Sequence, residues 1–398
     1  MEVRRAREDE RLRALTPIWH YFGSPLGPEA DRAARMLVPV ERMHVALDGE
    51  TVVGGAGAFP LDLTVPGGRV RAAGVTMVGV LPTHRRRGVL RDLMRIQLED
   101  VRERGEPLAV LWASEGGIYG RFGYGLASLC GDMELPRQHA EFHRPLEWQG
   151  AARLVDAAGA LRGFPPVYDA VAATTPGMFS RTHEWWEKRT LSDSEWRRAG
   201  GGELAFALFE REGRPEGYAI YRLNFSYAEG VPTGATHVVE AMGTTPEATA
   251  AVWRYLLDID WMVTVDAELL PVDHPLFLLL LEQNRMKFRV GDGLWVRLVD
   301  VGAALAERGY AGEGELVLEV SDAFCPWNEA RFGLDGAKTR AEPHLKLSVD
   351  ALGCVYLGGF TFADLARAGR VEEVAEGALA RADALFRTDV APWCPEIF

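Results

Sequence analysis

The stretch VTMVGVLPTHRRRGVLRDLM, residues 75–94, joins an apolar run to an amphipathic one through three arginines and a glycine. Val75–Leu81 has the composition of a buried strand, and from Gly88 onward Leu90, Leu93, Met94, Leu98 and Val101 keep helical spacing. Arg85, Arg86 and Arg87 therefore stand where a helix begins. That end of a helix carries partial positive charge, so cations are unfavourable there and anions are favoured. Its first N–H groups have no intrahelical partner and can bind phosphate oxygens. Gly88 lets the backbone approach closely, and arginines add paired, charge-assisted hydrogen bonds. The strand, turn and helix together predict a phosphate cradle; a solvated basic patch at a helix start is the alternative.

Outward from this stretch the chain divides into three blocks. In residues 1–135, Met43–Leu47 and Thr51–Ala58 predict a hairpin around Asp48-Gly49. A second hairpin turn follows at Pro66-Gly67-Gly68, and the strand Leu108–Ala113 runs into SEGGIYGRFGYG, residues 114–125. Residues 136–290 repeat the strand–turn–helix order without an arginine-glycine turn. Their helix, EATAAVWRYLLD, is announced by Thr244-Thr245-Pro246-Glu247, a capping sequence with proline near the start. Residues 291–398 open with a strand and short helix in LWVRLVDVGAALAERGY. GELVLEV and HLKLSVD then alternate as half-buried strands do, while TFADLARAG and VEEVAEGALARADALF are expected to be helical.

A length of 398 residues suggests two or three domains. Net charge is -13, from 57 acidic and 44 basic residues, which argues against a general nucleic-acid binder and suits a cationic substrate. Four scattered cysteines without a C-x-x-C predict neither zinc nor a disulfide framework, and fit a cytoplasmic setting. The charged amino-terminal segment has no signal-peptide character, and the apolar run Leu276–Leu281 is too short to span a membrane. His139 and His143 flank Glu141, but the order H-A-E-F-H lacks a third ligand and predicts a surface helix instead of a metal site. Trp185, Trp186 and Trp196 are expected in the core or at subunit contacts.

The turn resembles the pyrophosphate-binding element of the GCN5-related N-acetyltransferases (GNAT), Q/R-x-x-G-x-G/A. Arg85 and Gly88 fit it and Leu90 departs from its last position. VGVLPTHRRRGVLRDLM, ASEGGIYGRFGYG, GLWVRLVDVGAALAERGY and a final phenylalanine together are similar to the enhanced-intracellular-survival (Eis) family of actinobacterial acetyltransferases. The resemblance implies an α/β fold of two tandem GNAT-like domains, each a mixed sheet flanked by helices, with a C-terminal α+β domain similar to sterol carrier proteins. It implies acetyl-CoA as donor, small polycationic amines such as aminoglycosides as acceptors, and a homohexamer built as a dimer of trimers. No metal, nucleic acid or membrane partner is expected.

By the same resemblance, Val78, Val80, Arg85, Arg86, Arg87, Gly88, Leu90 and Ser114 belong to the acetyl-CoA site. Tyr119 matches the family's general acid; the residues alone favour it no more than Tyr124. Phenol and thiol have reference pKa values of about 10 and 8.5, so a neutral tyrosine is protonated and available. The carboxylate of Phe398 matches the family's general base. Its reference pKa of about 3.5 lies far below an alkylammonium's, a gap that burial narrows. For the acceptor, Glu396 and Glu29 are candidate partners of ammonium groups, and Trp112 stands where the family carries histidine. Ser24 stands where an aspartate is expected, and Ile397 where an acid precedes the last phenylalanine. Two alternatives remain: acetylation of protein or peptide lysines, and a hydrophobic-ligand carrier centred on the C-terminal block.

Overall fold

The computed structural model describes residues 1–21, 23, 37–198 and 201–398. Ser24 and Glu29 lie outside the described residues. The first sheet has seven strands in the order Glu2–Arg5, Met43–Asp48, Thr51–Val65, Gly68–Val80, Leu108–Trp112, Leu294–Leu298 and Gly125–Leu126. Both expected hairpins are present, with Gly49 and Gly67 at positive φ. The one parallel pair, Gly68–Val80 with Leu108–Trp112, is joined by the helix Val89–Glu103. Val89, Leu93, Gln97 and Val101 recur every fourth residue in that helix, and with Met94 and Leu98 they form its buried stripe.

The parallel ladder is short. It pairs Ala72 with Leu108, Ala73 with Ala109 and Gly74 with Val110, then ends. Beyond that point the longer strand bulges against its other neighbour: Thr76 pairs with Gly57, but Gly79 pairs with Gly55. Met77 absorbs the extra residue at φ 57°. Thr76–Val80 thus stays in the sheet on one side and leaves a cleft on the other. At Gly79 a Cβ would sit 2.8 Å from the backbone nitrogen of Ile18, so only glycine lets the amino-terminal helix Thr16–Tyr21 close this edge.

The second sheet has the same plan. Its order is Lys287–Asp292, Leu129–Pro136, Met262–Leu270, Gly234–Gly243, Arg214–Asn224, Leu204–Arg211 and Ala151–Val155. Again a single parallel pair, Gly234–Gly243 with Met262–Leu270, is bridged by one helix, Pro246–Asp258. The expected boundaries at 135 and 290 shift accordingly. Leu129–Pro136 already belongs to the second sheet, and Leu294–Leu298, placed by its sequence in the third block, completes the first sheet beside Leu108–Trp112.

The third unit is a four-stranded sheet, Ala330–Phe332, Leu318–Ser321, Leu345–Ser348 and Val371–Glu373, covered by helices that include Val349–Tyr356 and Ala378–Phe386. The segment VEEVAEGALARADALF is not helical throughout. Val371 pairs with Leu347 as a strand, and Gly377, at φ 76°, starts the helix only afterwards. One core runs from Val45 and Leu61 through Leu294 and Val296 to Leu345, Tyr356 and Phe386, so the first and third units share their interior. Among the described residues no helix is long and apolar enough to cross a membrane.

Candidate active site

The cavity at the splayed strands measures ≈ 920 Å³. That lies within the range of small-molecule sites. It brings together Val78, Val80, Arg85, Arg86, Gly88, Leu90, Ser114 and Tyr119 from the sequence-derived set. Arg87 is exposed and does not line it. Gly88 is the N-cap of Val89–Glu103 at φ 86°, and no side chain caps that helix. Its first amides therefore remain open to an external acceptor. Among the described residues Arg85, Arg86 and Arg91 of the cavity wall have no carboxylate partner on the protein. Uncapped amides and unneutralised guanidiniums suit a pyrophosphate.

The equivalent place in the second sheet is closed. There the Thr245 hydroxyl accepts the Ala248 N–H at 3.1 Å and Glu247 occupies the first turn. A side chain fills the position an anion would take.

Tyr119 ends the short helix Gly116–Tyr119 and is nearly buried, and burial, then the Glu115 charge, pushes its phenol up to about 12. Tyr124, 5.9 Å away ring to ring, is fully buried; its hydroxyl has no partner, and burial holds it far above the ordinary phenol value. Only Tyr119 of the two reaches the cavity wall, a distinction the sequence alone did not make.

The chain's last residues are not frayed. They run between the first two units: the Trp393 N–H donates to Pro176 O at 2.8 Å, and Trp112 Nε1 donates to Glu396 O at 3.0 Å. The Phe398 ring lies edge-on to Phe59 and Phe179, with centroids 6.5 and 5.6 Å away. It also faces Gly74, where the parallel ladder ends. Phe398 does not line the cavity itself; it sits at the closed end of the same splayed strands.

Glu396 is corrected most sharply. It was expected to meet an ammonium, but its carboxylate lies 3.0 Å from Arg181 and 3.2 Å from Arg189 and accepts Trp185 Nε1 at 2.9 Å. Burial acts to raise its pKa, and the two guanidiniums outweigh that and hold it below the usual carboxylate range. Trp112 likewise holds the tail. His139 is paired with Glu282 at 2.7 Å in a short turn, Arg137–His139, and not on a helix face. Trp185 and Trp186 are core residues, as expected.

The cavity also contains residues the sequence reading missed. Arg91 lies one turn beyond Gly88, so helical spacing could have found it. Glu115 and Arg121 flank Tyr119 in the glycine-rich turn. Ala323 and Phe324 come from the third unit, where Arg297, buried in the first sheet, holds Asp322 at 2.5 Å. Nothing local in the sequence links those residues to the cleft.

The acetyltransferase (GNAT) domain family matches residues 2–127, a second acetyltransferase (GNAT) family matches 177–298, and the sterol carrier protein domain matches 301–395. An uncharacterized N-acetyltransferase of Streptomyces avermitilis is 40% identical, covering 100% of this chain and 99% of the relative. The N-acetyltransferase Eis of Mycobacterium tuberculosis is 37% identical, covering 93% of this chain and 92% of its own. The chain belongs to the Eis family of GNAT acetyltransferases. The crystal structure of Eis1 from Mycobacterium abscessus superposes with a TM-score of 0.88 at 34% identity, covering 100% of both chains. The Eis-family chain is therefore an acyltransferase, with two GNAT domains and a sterol-carrier-like domain, and GNAT domains take acetyl-CoA as the acetyl donor.

Proposed function

We propose that this Eis-family enzyme acetylates amines of small polycationic acceptors such as aminoglycosides, with Tyr119 as general acid and the Phe398 carboxylate as general base. The observation that carries the reading is the cavity in which an uncapped helix start, free guanidiniums and Tyr119 share one wall. An acceptor of high positive charge is supported by the net charge of -13 and by the exposed Glu115 carboxylate in the cavity.

Acetyl-CoA supplies a thioester, whose carbon–sulfur bond breaks as the amine's carbon–nitrogen bond forms. Arg85, Arg86 and the amides after Gly88 hold the diphosphate. Backbone groups of Val78 and Val80, beyond the end of the parallel ladder, orient the acetyl carbonyl. The Tyr119 hydroxyl gives its proton to the departing sulfur. The burial that raises this phenol also disfavours a free thiolate, so donor and acceptor stay matched. The Phe398 carboxylate takes the proton the amine loses. The assembly is proposed to be a homohexamer in the cytoplasm; the exposed aromatic cluster Phe225, Tyr227 and Trp261, 60, 55 and 61% accessible, supports self-association. Light scattering gives its mass.

Thiol release from acetyl-CoA, measured against aminoglycosides, simple polyamines and lysine peptides, tests the acceptor. Mass spectrometry then counts acetyl groups. Turnover with aminoglycosides is expected; turnover with lysine peptides alone would replace this acceptor with a protein one.

A further inference from the structure

The second GNAT domain has a closed anion site, yet it holds the chain's last residues through buried charged groups. Two of its buried arginines, Arg181 and Arg189, converge on Glu396. Arg189 Nε meets one carboxylate oxygen at 3.2 Å, and Arg189 Nη2 donates to Ile397 O at 3.1 Å. Arg181 Nη2 lies 3.0 Å from the other oxygen. Arg181 is fixed in turn by a bidentate pair with Glu240, at 2.8 and 2.6 Å, and by the faces of Tyr168 and Trp186.

The cluster is neutral by charge: two guanidiniums against Glu240 and Glu396. Buried ion pairs of this kind are poor sources of stability, because desolvation offsets their attraction. They do fix geometry. Trp185 links that geometry to the terminus: its N–H goes to Glu396, its face takes the Arg189 guanidinium at 4.6 Å, and its ring meets Phe59 and Phe179, the two rings that grip Phe398. From Arg189 to the Phe398 carboxylate there remains only one residue of chain.

We infer that Arg189 and Arg181, acting through Glu396, are positioning residues for the C-terminal carboxylate, and that the second GNAT domain serves catalysis as the mount for the base. This rests on the reading of Phe398 as general base. It gives Glu396 a role other than amine recognition: its charge is compensated inside the protein, so an acceptor ammonium meets other groups.

The test compares Arg189→Met, Arg189→Lys and Glu396→Gln with a variant extended by Gly-Ser after Phe398, all as full-length protein. Turnover is read with the amine that the wild-type enzyme uses best. Arg189→Met is expected to lower kcat by about 10- to 100-fold, the range for misplacing a reacting group, with acetyl-CoA affinity unchanged by calorimetry. The acid limb of its kcat profile should move to higher pH, since a cation beside the carboxylate has been removed. Arg189→Lys should restore part of kcat. Carboxypeptidase should release Phe398 faster from Arg189→Met and Glu396→Gln than from wild type at matched thermal stability, which reads the mount without any acceptor.

Two failures are distinguishable. If the Gly-Ser extension leaves turnover intact, Phe398 is not the base. If the extension abolishes turnover but Arg189→Met keeps wild-type kcat and pH profile, the base stands and the positioning role is wrong. Unchanged carboxypeptidase release also overturns the mount. Arg181→Met is avoided because removing one partner of the buried Glu240 pair is expected to unfold the domain.

Discussion

Tyr119 and Tyr124 differ by five positions and by what reaches their hydroxyls. Tyr119→Phe is expected to lower kcat by about 10²–10⁴-fold while leaving acetyl-CoA affinity unchanged; single-turnover kinetics with calorimetry check it. Tyr124→Phe removes a buried hydroxyl that has no partner, so it should keep activity and leave stability unchanged or raised; a thermal melt decides. Because burial pushes the Tyr119 phenol up to about 12, it stays protonated through the alkaline range. The kcat profile should therefore show no loss with a midpoint near pH 10; such a loss, absent in Tyr119→Phe, would contradict this. At this scale the sequence identified the types of residue but not their accessibility. Glu396 makes the point: a lone carboxylate near the terminus suggests an open partner for ammonium, and only the fold brings Arg181 and Arg189 to it.

The strand, glycine and helix start around the arginine turn were legible because they adjoin one another in the chain. Charge reversal of Arg85, which is exposed and in the cavity wall, should weaken coenzyme A binding by about 10- to 100-fold, the loss of one or two charge-assisted contacts. The melting temperature should not change. Gly88→Val strains a backbone at φ 86° although open space surrounds the position, so it should lower stability by roughly 1–2 kcal/mol and binding as well. Denaturant unfolding and calorimetry together separate the two effects. The strand Val371–Glu373 was missed because its three residues precede a strong helical pattern. Only pairing with Leu345–Ser348 selects the extended form.

Across the whole molecule, three blocks were visible in composition and punctuation, but the routes between them were not. Leu294–Leu298 looks in sequence like the start of the third block and in space is the sixth strand of the first sheet. Acid sensitivity is also distributed over the molecule. Burial is the main cause that lowers His44 to about 4, with Asp100 opposing it, and burial alone lowers His274 to about 3. Both are neutral in the folded protein and ordinary, near 6.5, in the unfolded chain. Their contribution is complete above about pH 6.5 and is lost as pH falls toward the folded values, by about 1.4 kcal/mol per pH unit for each. Melting temperatures should fall from pH 7 to pH 5, and His274→Asn should flatten the slope; an unchanged slope would refute the assignment. The returning strand has a further consequence, for synthesis. A nascent chain emerging at roughly 5–20 residues per second exposes the edge of Leu108–Trp112 until everything through Leu298 has left the ribosome. The first GNAT sheet is expected to close only after the second GNAT domain has emerged, and a message truncated between the two would yield a product with an open sheet edge, prone to aggregation and to capture by chaperones.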